Sequence, residues 1–193
     1  GLNRLVADVN KLYTSRPALY AKDTSWEGFE WINCITPESC MLSYVRKDGR
    51  PENMLVVVAN FADVKQDFRV GVPCEGKYTE ILNTDAKIYG GSGEIDNKTC
   101  NTTEMEWDGK PYAIDLVSAP LSVSIFSYTP YTPEEKAEIE RMRAEELRKA
   151  KEAEERRIAE EAAKAIAQEA AEARRLAKIA AAEAKERAKE ADE

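Results

Sequence analysis

The chain has 193 residues, of which 43% are hydrophobic and 33% charged, with a formal net charge of −8 and no histidine. The acid excess and the lack of any concentrated basic patch argue against nucleic acid as a partner. No apolar run reaches the roughly 18 residues of a membrane span, and the length suits one hydrophobic core plus an appendage.

Residue 1 is Gly, already inside an amphipathic pattern, so the sequence reads as if it starts within a longer protein. Basic and apolar signal-peptide regions are missing, and a cytoplasmic location is expected. "LNRLVADVNKLY" (2–13) places Leu2, Leu5, Val6, Val9, Leu12 and Tyr13 on one helical face, and Pro17 stops that helix. So apolar a face on so short a helix needs something to pack on.

Strands follow from Phe29 to Tyr128. "FEWINCI" (29–35) alternates in part, with Trp31 expected in the core, and "MLSYVRK" (41–47) leads to the turn "DGRPEN". "MLVVVANF" (54–61) is a continuous apolar run, which predicts a buried central strand. "FRVGV" (68–72), "KYTEIL" (77–82), "YAIDLV" (112–117) and "LSVSIFSY" (121–128) complete the set, with the turn "DGKP" at 108–111. Short strands separated by turns predict a mainly β fold, an antiparallel β-sandwich.

After Pro133 the text is nearly all Ala, Glu, Lys and Arg, without Gly or Pro. Thr132, Pro133 and Glu135 form a helix start, and about sixty helical residues would extend about 90 Å. Glu145/Lys149, Glu152/Arg156, Glu160/Lys164 and Glu183/Arg187 are favourably ordered i,i+4 pairs. An alanine seam (Ala159, Ala163, Ile166, Ala170, Ala173, Ala177, Ala180, Ala184) holds a heptad register where the large residues Ile139, Met142, Leu147, Ile158, Leu176 and Ile179 do not. Alanine buries little area, so a solvated single helix and a weakly self-associating coiled coil both remain open. The organisation expected is 1–23, 24–130 and 131–193.

Cys34, Cys40, Cys74 and Cys100 lack metal-site spacing, and no His completes a zinc site. They read as reduced thiols, several of them buried, with no metal or other cofactor expected. The sequons at Asn97 and Asn101 carry meaning only in a secreted protein.

The ordered pieces "GFEWI" (28–32), "LSYVRK" (42–47), "LVVVANF" (55–61), "FRVGVP" (68–73), "EILNTD" (80–85), "YGGSG" (89–93) and "LSVSIF" (121–126) resemble the C-terminal all-β domain of the bacterial glycogen branching enzymes, in glycoside hydrolase family 13. "EILNTD" followed closely by "YGGS" is the most telling pair. "GLNRLVADVNKLYTSRPALY" is similar to the last helix of that family's catalytic (β/α)8 barrel and its exit, assigned here to residues 1–23. The tail departs from the family pattern, which is complete by about Tyr128.

The resemblance implies a retaining transglycosylase that cleaves an α-1,4 link in a glucan and moves the freed segment to a 6-hydroxyl, forming an α-1,6 branch. Such chemistry uses a carboxylate nucleophile and a carboxylic acid proton donor, which in this family lie on barrel loops. No catalytic residue can be assigned to any position of this chain. It is expected to be inactive alone, with an α-glucan and the missing barrel as partners through the parent enzyme.

"YTEILNTDAKIYGGSGEIDN" (78–97) poses a separate question, because a strand gives way to an elaborate loop. The loop's glycines and its Asn83 and Asp85 serve the turn itself, or Tyr89 docks on a neighbouring domain, or Tyr89 stacks on a sugar. Leu2, Leu5, Val6, Val9 and Tyr89 are the docking candidates, and Trp26, Tyr89 and Trp107, with Tyr112 beside them, the glucan-platform candidates. Two other functions stay open: a stand-alone glucan-binding module, which needs exposed aromatics, and an interaction protein working through its helix.

Overall fold

A computed structural model describes the chain from Gly1 to Glu190; beyond Lys164, side chains are described at Gln168 and Arg175 alone. The chain divides into two units, Gly1–Thr132 and the helical segment that begins at Pro133.

The first unit opens with helix α1 (Leu2–Ser15), which ends where Arg16 turns extended before Pro17. Eight strands follow: β1 (Phe29–Asn33), β2 (Met41–Arg46), β3 (Leu55–Asn60), β4 (Gln66–Val72), β5 (Gly76–Asn83), β6 (Thr99–Asn101), β7 (Tyr112–Ser118) and β8 (Ser122–Pro130). They form a six-stranded sheet in the order β1-β2-β3-β8-β5-β6 and a two-stranded sheet of β4 and β7. Every strand pairing is antiparallel.

The sheets pack face to face. Val45, Val56, Val58, Tyr78 and Phe126 from the larger sheet meet Val70, Val72, Ile114 and Leu116 from the smaller in one buried cluster. β3 is buried along its whole length, flanked by β2 and β8, as its continuous apolar run requires. Val56 and Val58 point between the sheets, so Leu55, Val57 and Ala59 point to the other face. The segment after α1 runs over that second face. Arg46, opposite Leu55 in the register, holds it by donating to the carbonyls of Ala18 and Leu19 and to Asp23 Oδ1 at 2.6 Å.

Three expectations are corrected. Trp31 is mid-strand but half exposed, because β1 is the edge strand and its alternation sends Phe29 and Trp31 to the outer face. There Trp31 packs edge-on against Phe29 and Tyr44, with centroids 4.9 and 5.8 Å away. Of the cysteines only Cys100 is buried, while Cys34 and Cys40 are exposed in and beside the β1–β2 loop at the sheet rim. Tyr131, assigned to the tail, is buried in the β unit, where its hydroxyl accepts from the Thr102 amide at 3.1 Å.

β6 escapes sequence reading because three residues are too few to show alternation. Just before it, Asn97 acts as a strand residue through its side chain. Its Oδ1 accepts from Val117 N at 2.8 Å and its Nδ2 donates to Val117 O at 3.0 Å, leaving the sequon amide fully engaged.

The second unit is one helix, α2 (Pro133–Glu190), of 58 residues. Glu145–Lys149 and Glu160–Lys164 form the expected pairs at 2.7 and 2.8 Å, whereas Glu152 reaches back to Arg148 at 3.9 Å. Met142, Leu147 and Ile158 are exposed, so surface ion pairs and propensity carry the described part of this helix. Ala159 and Ala163 are exposed; Ile166, Ala170, Ala173, Leu176, Ala177, Ile179, Ala180, Ala184 and the Glu183/Arg187 pair lie outside the described side chains. Among the described residues no helix is long and apolar enough to cross a membrane.

Candidate functional site

Two features of the β unit have the character of sites: a cleft on the smaller sheet and the junction between α1 and the loop after β5.

The cleft, about 740 Å³, is walled by the end of β1 (Asn33), the β1–β2 loop (Thr36, Glu38, Ser39), β4 (Asp67, Phe68, Arg69), Trp107 and β7 (Asp115, Leu116, Val117). Alternation turns Val70, Ile114 and Leu116 into the core and leaves Asp67, Arg69, Asp115 and Val117 outward. Arg69 and Asp115 are register partners and form a two-point pair, Nε–Oδ1 at 2.6 Å and Nη2–Oδ2 at 2.9 Å. The Asp115 carboxyl is held below its usual range, first by that hydrogen bond and then by the guanidinium charge.

Trp107 stands over this pair. Its indole Nε1 donates to the Arg69 carbonyl at 3.1 Å, and the Arg69 guanidinium lies 5.6 Å from the ring centroid. The ring is carried by a tight turn in which Asp108 and Gly109 are both left-handed, φ 51° and 68°, closed by a Trp107–Lys110 bridge. Asp108 anchors the turn on two strands, accepting from Asn33 Nδ2 at 2.9 Å and from Gly71 N at 3.1 Å. Gly71 is required there: a Cβ would lie 2.0 Å from the Trp107 carbonyl oxygen. The indole is thus fixed from both ends and still 42% exposed.

At the second feature, Leu5, Asp8 and Leu12 of α1 face the β unit, half-buried, while Leu2, Val6, Val9 and Tyr13 are exposed. Tyr89 makes the polar link, its hydroxyl donating to Asp8 Oδ2 at 2.9 Å. Burial first, and then that bond, push the Tyr89 phenol above its ordinary pKa. The loop that presents Tyr89 is built around Asp85. Its amide donates to Asn83 Oδ1 at 2.9 Å, and its carboxylate accepts from Ser92 N and Ser92 Oγ at 2.9 and 2.5 Å. Gly91 passes so close that a Cβ would sit 2.2 Å from the Asp85 carbonyl oxygen. The turn chemistry shapes the loop, and the shaped loop holds the tyrosine against α1.

The other sequence candidates stay apart from both features. Trp26 lies in a short 3₁₀ turn before β1 and is 86% exposed, but does not line the cleft. Tyr112 is half-buried against the core. Sequence reasoning missed Arg69, Asp115 and Asp67, which become site residues only when β4 and β7 pair. Strand alternation around Val70 and Ile114 was the available signal.

Glu30 has two lysine partners, Lys110 and Lys47, whose hydrogen bonds hold its carboxyl down. A carboxyl acting as proton donor needs the opposite shift. Burial pushes the Cys100 thiol up to about 11, keeping it protonated. Among the described residues no cluster of three His, Cys, Asp or Glu is placed to hold a metal.

A match to the α-amylase C-terminal all-β domain runs over residues 31–129, from mid-β1 to the end of β8. The chain belongs to this domain family. The α-amylase C-terminal domain here therefore contains both sheets, the cleft and the Tyr89 loop, while α1 and α2 lie outside the matched residues. Similar curated proteins are 1,4-alpha-glucan branching enzymes. That of Rubrobacter xylanophilus is 42% identical over 123 residues, 63% of this chain and 17% of the relative. That of Trichormus variabilis is 41% identical over 127 residues, 64% and 16% of the two chains. That of Aquifex aeolicus is 41% identical over 124 residues, 64% and 20%. The chain thus spans a fifth or less of the length of these relatives.

Proposed function

We propose that this chain is the C-terminal part of a cytoplasmic 1,4-α-glucan branching enzyme, and that its β domain supports a catalytic barrel supplied by the rest of that protein. The observation that carries this reading is the two-sided packing of α1. One side docks on the β domain through Leu5, Leu12 and the Tyr89–Asp8 hydrogen bond, and the other holds Leu2, Val6, Val9 and Tyr13 open to solvent. A 14-residue helix with no fully buried residue is marginal by itself, and an exposed apolar stripe of this kind is what a second body would cover. Residues 1–23 act as the last helix and exit of the barrel in this account. The barrel holds the catalytic carboxylates in this account, while Glu30 and Asp115 are each engaged in a separate salt bridge, Glu30 with Lys47 and Lys110 and Asp115 with Arg69.

The test is the size and activity of the native gene product, isolated with an antibody against residues 24–129. A barrel adds about 250 residues, so the product far exceeds 21.6 kDa and forms α-1,6 branches from amylose, whereas the 193-residue chain forms none. A native product near 21.6 kDa, or one that leaves amylose unbranched, overturns the reading.

A further inference from the structure

Beside the Tyr89–Asp8 link, α1 and β5 enclose a groove of about 340 Å³. Lys11, Leu12 and Arg16 line it from the helix side, Ile81 and Leu82 from the strand. Consecutive strand residues ordinarily point to opposite faces. Ile81 and Leu82 both reach the groove at a bulge, where the pairing of β5 with β8 slips between Glu80 and Leu82. Arg16 is half-buried, and Pro17 after it confines its backbone, which is extended at φ −118° and ψ 100°. Among the described residues, neither the Arg16 guanidinium nor the Lys11 ammonium makes a hydrogen bond or ion pair. Neither caps the helix: its last carbonyls accept from Thr14 Oγ1, Ser15 Oγ and the Arg16 amide. Asp8 does not neutralise them, being held by the Tyr89 hydroxyl at 2.9 Å and the Arg4 guanidinium at 3.8 Å.

A half-buried guanidinium without acceptors has lost hydration and gained nothing in return. In a chain of net charge −8, two such cations in one groove select an anion. The arginine fork and a separate ammonium suit a tetrahedral dianion, which accepts two bonds from the first and one from the second. A carboxylate is used up by the fork alone. The apolar residues beside the cations call for a carbon body, and the volume limits that body to a small molecule. We propose that this groove binds a small phosphate monoester, with Arg16 and Lys11 on the phosphate and Leu12 and Ile81 against the carbon skeleton. Bound there, the ester ties α1 to β5. The inference stands on the groove and does not rest on the branching-enzyme reading.

The experiment is calorimetric titration of the full 193-residue chain with glycerol 3-phosphate at low salt, beside inorganic phosphate and acetate. Saturable binding of glycerol 3-phosphate is expected, with inorganic phosphate weaker and acetate absent. Arg16→Gln is expected to weaken binding about tenfold or more, and Arg16→Lys, which keeps the charge and loses the fork, about fivefold. Lys11→Gln alters an exposed side chain without partners, leaves the fold intact and weakens binding several-fold. Lys149→Gln on α2 leaves affinity unchanged. At saturation the α1 amides exchange hydrogen more slowly, because the ligand holds the helix on the strand. A flat titration up to about 10 mM, affinity indifferent to Arg16→Gln and Lys11→Gln, equal weakening by Lys149→Gln, or equal binding of acetate each overturns the proposal. If the chain binds the ester and a native product that branches amylose does not, the rest of that protein covers the groove, and the proposal falls while the branching-enzyme reading stands. If Arg16-dependent binding is found in a native product that makes no branches, that reading falls and the groove assignment stands.

Discussion

Asp108 is the position where fold and cleft are most tightly joined, and its replacement separates three contributions. Its carboxylate accepts from Asn33 Nδ2 at 2.9 Å and from the amide of buried Gly71 at 3.1 Å, while its own backbone is left-handed at φ 51°. Removing the carboxylate leaves the Gly71 amide short of an acceptor, at about 1–3 kcal/mol for a buried group. A left-handed backbone costs a residue such as Ala about 1–2 kcal/mol and Gly almost nothing. Asp108→Ala is therefore expected to destabilise the β unit by about 3 kcal/mol and Asp108→Gly by about 2 kcal/mol. Asp108→Asn keeps one acceptor and tolerates the backbone angle, so its loss is about 1 kcal/mol. The assay is urea unfolding followed by tryptophan fluorescence, with the slope checked for two-state behaviour. If Ala and Gly variants match each other, the backbone argument is refuted. If all three lie within about 0.5 kcal/mol of the parent, the anchoring role is refuted as well.

Asp48 sets an acid limb. Burial pushes its carboxyl up, but hydrogen bonds from Asn53 and from the Arg50 amide and guanidinium outweigh this and bring it to about 2 from 3.8. A depressed carboxyl stabilises the fold above its unfolded pKa, so up to about 2 kcal/mol disappears between about pH 4 and pH 2; Asp48→Ala removes that part of the limb in a pH series of unfolding curves. Tyr89→Phe breaks the link to Asp8, and the amides of α1 are expected to exchange hydrogen about fivefold faster with the β-strand amides unchanged. Equal rates in α1 would mean that Leu5 and Leu12 hold the helix without it. Phe126→Ala empties the centre of the sandwich and should cost about 3–5 kcal/mol in the same urea assay. Truncation after Thr132 should change the β-unit unfolding free energy by less than about 0.5 kcal/mol, whereas Tyr131→Ala costs about 2–4 kcal/mol, mainly by removing a buried ring, since the Thr102 amide keeps its second acceptor, the Gly76 carbonyl.

Local patterns in the sequence were enough to determine most elements. The run Leu55–Asn60 could only be a strand buried on both faces, Pro17 had to stop the first helix, and the Ala/Glu/Lys/Arg text had to be helical. These follow from periodicity and backbone preference, which act over a few residues. In the loop at 83–93 the turn role of Asn83 and Asp85 was legible as one of three readings, because it acts over short separations, while Ser92 as the partner of the Asp85 carboxylate was not. Tertiary structure decided everything that depends on which strands become neighbours. Trp31 reads as core until β1 proves to be an edge, and Tyr131 reads as tail until its hydroxyl meets Thr102. The cleft exists only because pairing β4 with β7 brings Arg69 to Asp115 across 46 residues of chain, and because Asp108 ties their turn to β1 and β4. Contacts at that separation leave no period in the sequence; they are selected by burying one common core, and the site is assembled on the face that the core leaves outside.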